Sequence, residues 1–166
     1  MALALRTASS TGPRVGLPRW VVPTSLGLSL AGLGVSIYLT VEHFTSPDRL
    51  ACPVGDSASC TTVTTSPQSR FLGIPVAVLG LVFFVALLVL CLPRLWAISD
   101  PRVWRARLAA AGVGLLFVLY LIFAEILLIE AICQWCTVVH LLTFALFAVI
   151  VWASAVADPN PFDPQR

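Results

Sequence analysis

The sequence predicts an all-α integral membrane protein with four spans, and three observations carry that reading. Of its 166 residues, 58% are apolar and only 11% are charged, against roughly 25% charged in ordinary globular domains; mean hydropathy is +0.95. The apolar residues gather into four runs, Trp20–Val41, Ile74–Leu92, Leu108–Ile129 and Thr137–Val156. Each is close to the ~20 residues that cross about 30 Å of hydrocarbon as a helix. All twelve prolines fall in the tails, in the connections or in the first turn of a run, where the missing N–H costs little.

Residues 1–19 carry Arg6, Arg14 and Arg19 and no acid, and read as a basic tail. The first run is longer than the ~7–15-residue apolar core of a cleaved signal peptide. It also ends in Val41-Glu42-His43 rather than a small-x-small site, so it reads as an uncleaved span. Residues 42–73 form the longest polar stretch, with Cys52, Cys60 and a Thr/Ser run from Thr61 to Ser66. The second span, 74–92, leads into a short basic connection, 93–107, which holds Arg94, Arg102, Arg105 and Arg107. The third span, 108–129, and the fourth, 137–156, flank Glu130 and the pair Cys133 and Cys136; residues 157–166 are a second tail. No stretch outside the runs is able to bury a core of its own, so residues 20–156 read as one domain.

Arginine counting orients the chain. The N-terminal tail has three Arg and the 93–107 connection four, whereas the 42–73 loop sets Arg49 and Arg70 against Glu42, Asp48 and Asp56. The turn between spans three and four has no basic residue. Both termini and the basic connection are therefore expected in the cytoplasm, with Cys52, Cys60, Cys133 and Cys136 together on the outer, oxidising side. Cys91 falls at the opposite end of the second span. The charge of +2 does not point to nucleic acid, because the Arg residues flank membrane runs instead of forming a patch.

A dithiol spaced as Cys133-Gln134-Trp135-Cys136 can carry electrons, close a disulfide or bind a soft metal. A structural disulfide across three residues removes little chain entropy. One dithiol plus a histidine makes only three metal ligands, and oxidised thiols do not ligate. Three classes of function remain open at this point. They are a thiol oxidoreductase, a soft-metal binding or transport module, and a structural tetraspan protein with stabilising disulfides.

Two deeper residues add to the first class. With 100° per residue, positions 133, 136 and 140 fall within about 60° of one helix face, and His140 lies roughly 6 Å deeper than Cys136. An ionisable group inside a span is a functional candidate by default; His140 is expected to hydrogen-bond a bound molecule or supply it with a proton. Glu125 is the other such group, able to bond Tyr38 or Tyr120 or to carry protons. Trp135 reads as an interface anchor or as a wall of the site beside the dithiol. Small residues Gly27, Ala31, Gly32 and Gly34 predict close packing of the first helix.

The pattern resembles the vitamin K epoxide reductase family in its stand-alone bacterial form. The matching features are Cys52 and Cys60 with seven residues between them, Ser66 six residues on, and Gly73-Ile74-Pro75. The string Tyr120, Glu125, Ala131-Ile132-Cys133-Gln134-Trp135-Cys136 and His140 matches as well. The resemblance implies a four-helix bundle around a quinone headgroup. It implies that Cys133 and Cys136 reduce the quinone and that Cys52 and Cys60 relay electrons from an extracytoplasmic thioredoxin-fold partner. Ser66 is implied near the quinone, of menaquinone, ubiquinone or vitamin K type. The chain departs from the vertebrate enzymes at His140, where they carry Tyr. The implied location is the bacterial cytoplasmic membrane, and the implied service is disulfide formation in exported proteins.

Overall fold

The computed structural model describes residues 17–45, 57–98 and 100–157. Cys52 and most of the two tails lie outside these residues. The described chain is mostly helical. Helix α1 spans Val21–Thr45, one turn beyond the expected end of the first run. Its buried stripe is Val21, Ser25, Ser29, Gly32, Ser36 and Leu39, spaced three or four apart as one helix face requires. Ser25 and Ser29 donate their hydroxyls to the Val22 and Ser25 carbonyls at 3.0 and 2.8 Å, so neither is left unsatisfied in an apolar setting.

The 42–73 stretch, expected as a polar loop, is partly structured. Helix α2 spans Ser57–Thr65, followed by a single 3₁₀ turn, Pro67–Ser69. Ser and Thr are modest helix formers, but here Thr64 and Thr65 donate back to the Cys60 and Thr61 carbonyls at 2.9 and 2.7 Å. Strands β1 (Arg70–Phe71) and β2 (Ile74–Pro75) pair antiparallel. Leu72 and Gly73 both have positive φ, 53° and 83°, the handedness a two-residue hairpin turn favours.

That hairpin takes residues from the second span. Helix α3 covers Val76–Leu90 rather than 74–92, and Cys91 caps it by donating its N–H to the Leu87 carbonyl. Its 15 residues rise only about 22 Å. The basic connection is helical instead of looped: α4 spans Pro93–Ala97, and α5 begins at Pro101, seven residues before the expected Leu108, and runs to Phe123. The cause is a start signal at Asp100-Pro101. The Asp100 carboxylate accepts the Arg102 N–H at 2.7 Å, and Pro101 stands at the first helical position. A π-helical turn, Ala124–Ile129, continues α5 and ends at Glu130 in the left-handed region. Helix α6, Gln134–Ala157, starts at the dithiol itself.

Among the described residues three helical stretches, 21–45, 101–129 and 134–156, are long and apolar enough to cross a membrane, and α3 is a shorter apolar helix. Helix α1 packs against α3 and α6, and α5 packs against the same two. Gly32 is the close-packing position of the first helix: a Cβ there would run into the Phe84 ring, and one at Gly114 into Phe83. Gly27 and Gly34 face open space. At the far end from the dithiol, Arg107 is fully buried. Its guanidinium lies 3.7 Å from the Trp96 ring centroid and 5.1 Å from that of Trp104. It donates to the Leu90 carbonyl from Nε and Nη2 at 3.1 and 2.7 Å, satisfying an orphan acceptor at the C-terminus of α3.

Candidate functional site

Two environments meet at the start of α6. The first is a buried cluster of Leu39 from α1, Cys60 and Val63 from α2, and Cys133, with Tyr38, Ala77, Ile129, Trp135 and Cys136 around it. Cys60 and Cys133 are 1% and 0% exposed. Cys60 is held in a disulfide, and Cys52 lies outside the described residues. Cys133 and Cys136 are free thiols. Helix α2 docks on the π turn and holds Cys60 in the same cluster as Cys133. Cys60 and Val63, one turn apart, form the buried edge of α2.

Cys133 stands at the N-cap of α6, where its carbonyl accepts the Thr137 N–H at 2.9 Å and the Thr137 hydroxyl at 3.0 Å. The Cys136 thiol, together with the backbone N–H groups of Cys136 and Trp135, hydrogen-bonds the Cys133 sulfur. These donors hold the Cys133 thiol below its ordinary pKa despite burial, which pushes the other way. A thiolate at a helix N-terminus is stabilised by the same unpaired donors that bind anions there.

The second environment is a cavity of about 340 Å³ between the helices, within the roughly 300–1,000 Å³ of small-molecule sites. Phe83, Phe84, Phe117 and Val118 form much of its wall, and Thr64, Gln68 and Ser69 close the end beneath α2. Cys136, Glu125 and His140 line it; Cys133 does not. His140 is 5% exposed and makes no hydrogen bond to any described residue. A buried imidazole without a protein partner is uncommon, and this one borders the cavity.

The other two residues expected at a quinone stand outside the lining. Ser66 donates its hydroxyl to the Val63 carbonyl at 2.8 Å. Trp135 packs on Tyr38 with ring centroids 5.0 Å apart, because one residue along a helix turns the side chain about 100° away from Cys136. Sequence reasoning missed Thr143, Ser36, His43 and Gln68, all of which line the cavity. Thr143 was within reach, since it continues the 133, 136, 140 spacing by one more step.

A free dithiol that borders both the buried, disulfide-bonded Cys60 and an apolar cavity, among helices able to cross a membrane, defines a membrane thiol oxidoreductase. The chain belongs to the Vitamin K epoxide reductase family, whose model matches residues 23–151. The matched stretch contains Cys52, Cys60, Cys133, Cys136 and His140.

Proposed function

We propose that this protein passes electrons from an extracytoplasmic thioredoxin-fold dithiol, through Cys52 and Cys60 and then Cys133 and Cys136, to a membrane quinone. The observation that carries this reading is the split between the two thiols of the pair. Cys133 shares a buried cluster with Cys60, and Cys136 borders the cavity. Cys133 faces the donor side alone, and Cys136, at the edge of that cluster, also faces the acceptor side.

On this reading α1, α3, α5 and α6 form a four-helix bundle in the bacterial cytoplasmic membrane, residues 20–156 making one domain. Both tails face the cytoplasm and the 42–73 loop faces outward. The short α3 is completed across the bilayer by the hairpin before it and α4 after it. Thiol–disulfide exchange moves two electrons per cycle. The partner dithiol reduces the Cys52–Cys60 disulfide. The Cys60 thiolate then attacks Cys133 of an oxidised Cys133–Cys136 pair, Cys136 leaves, and Cys52 attacks Cys60 to release Cys133. The lowered pKa of Cys133 makes it a good leaving group in that last exchange. The reduced pair then gives two electrons and two protons to a quinone of menaquinone, ubiquinone or vitamin K type, which becomes the quinol. The partner departs oxidised and able to form disulfides in exported proteins.

The residues suit a quinone headgroup: phenylalanine walls, a thiol at one edge, and the unpartnered His140 imidazole as hydrogen-bond donor to a carbonyl. Glu125 also borders the headgroup. Ser66 and Trp135 act at one remove, Ser66 by fastening the end of α2 and Trp135 by packing Tyr38 behind the dithiol.

His140→Ala tests the acceptor half of this reading. Losing one hydrogen bond at a buried group costs ~1–3 kcal/mol, so quinone reduction is expected to slow about 5- to 150-fold if the bond is fully made in the transition state. Exchange between partner and Cys52–Cys60 is expected to stay within about twofold, a difference of ~0.4 kcal/mol. Wild-type quinone reduction by a well-folded His140→Ala protein would remove His140 from the site.

A further inference from the structure

Glu125 is a buried carboxyl, 6% exposed, in the membrane-spanning stretch 101–129. An acid kept there is expensive unless it is paired or used. Among the described residues it forms no ion pair, its side-chain hydrogen-bonding neighbour is the Cys136 thiol, and the rings of the two tyrosines able to reach it lie against other aromatics. Tyr38 packs on Trp135, and Tyr120 sits against Phe71 and Phe117. The titratable groups that face it are Cys136, close enough for thiol–carboxyl hydrogen bonding, and Cys133. Glu125 and Cys136 border the same cavity, with His140 one turn below Cys136 and His43 near the outer end.

The backbone under Glu125 is unusual. Ala124–Ile129 is a π-helical turn, a form that is rare and concentrated at functional sites. The Glu125 carbonyl accepts two N–H groups, from Glu130 and, at 3.2 Å, from Ala131. Within the turn Ala124 and Glu125 are buried, while Ile126, Leu127 and Leu128 are exposed. The wide turn thus points an acid inward from a segment whose next three residues face out.

We propose that Glu125 is the proton-transfer group of this site, carrying a proton from the dithiol to the quinone oxygen. The proposal rests on the quinone reading above. The balance is closed by groups already in place. The Cys133–Cys136 bond forms as both S–H bonds break, and the electron pair goes to the quinone. Glu125 in its acid form gives a proton to one quinone oxygen and recovers it from the Cys136 thiol; the proton of Cys133 completes the quinol. Glu125 ends as it began. The π turn is the device that sets its carboxyl between donor and acceptor.

The test uses the full chain in detergent or proteoliposomes with menadione, a short soluble naphthoquinone, as the acceptor. Glu125→Gln keeps size and hydrogen bonding but cannot pass a proton. General acid–base groups contribute about 10²–10⁴-fold, so quinol formation is expected to slow by that factor and to lose the pH dependence of the wild-type rate. Reduction of the Cys52–Cys60 disulfide by a thioredoxin-fold dithiol is expected to be unchanged. Glu125→Asp keeps the acid with a shorter reach. It is expected to be slowed yet to retain a titrating limb, which also decides the matter if the Gln variant fails to fold. A folded Glu125→Gln protein with the wild-type rate and pH profile, or a Glu125→Asp protein whose rate is flat with pH, overturns the role of Glu125 alone. A wild-type protein whose dithiol makes no quinol overturns the quinone reading itself, and this proposal with it.

Discussion

Cys136→Ala is expected to abolish quinone reduction and to let a Cys60–Cys133 disulfide accumulate. Both outcomes come from the same geometry. Cys136 is the thiol that borders the cavity, whereas Cys133 is shielded in the cluster it shares with Cys60. Removing an enzyme nucleophile can cost about 10⁴–10⁶-fold, and Cys133 has no route to the cavity that would compensate. Without Cys136, the Cys133 thiolate attacks Cys60 of the loop disulfide, Cys52 leaves as a thiol, and no neighbouring thiol at Cys133 completes the exchange. Only return attack by Cys52 reverses the step, so alkylating Cys52 locks the bridge. Non-reducing peptide mapping after alkylation reads the result. Finding Cys133 free in every preparation would mean that the partner attacks it directly.

Cys60→Ala is expected to be as severe from the other end. Electron flow from a thioredoxin-fold dithiol to quinone should fall by about 10⁴-fold or more, the scale of nucleophile loss. A small dithiol such as dithiothreitol, which reacts with the Cys133–Cys136 pair itself, should still support quinol formation. Mixed with the oxidised partner, the lone Cys52 thiolate should attack the partner's disulfide, one partner thiol leaving, and with no Cys60 to resolve it the mixed disulfide should persist, visible on a non-reducing gel and lost on reduction. A Cys60→Ala protein that passes electrons from the protein dithiol at the wild-type rate would show that the loop pair is not in the path.

Hydropathy made the membrane helices legible, and the spacing of Cys133, Cys136 and His140 put the three on one helix face, of which Cys136 and His140 line the cavity. What it left out has physical causes. The early start of α5 was written in Asp100-Pro101, but four nearby Arg residues read as a connection. Helix α2 was hidden because Ser and Thr favour caps and turns over helix interiors, and two buried residues, Cys60 and Val63, are too few to make a period. The π turn was invisible because Ala124–Ile129 has the same apolar composition as an α-helix; only the hydrogen bond from the Glu130 N–H to the Glu125 carbonyl five residues back reveals it. Ser66 and Trp135 show that sequence proximity to a cysteine is a weaker guide than its helical face. Gly32 makes the same point for packing. Of the small residues in the first helix, it is the one whose bare Cα is crossed by a ring, that of Phe84.

The central claim is that the Cys133–Cys136 dithiol delivers its two electrons to a quinone. The direct measurement is a single turnover without oxygen. Fully reduced protein is mixed with menadione, quinol is followed by absorbance, and disulfides are mapped at each time point after acid quenching. Quinol and the Cys133–Cys136 disulfide are expected to appear with one rate constant and in equal amounts, ahead of any oxidation of Cys52 and Cys60. Quinol formed while Cys133 and Cys136 remain thiols, or a dithiol that stays reduced in the presence of excess quinone, would contradict the account.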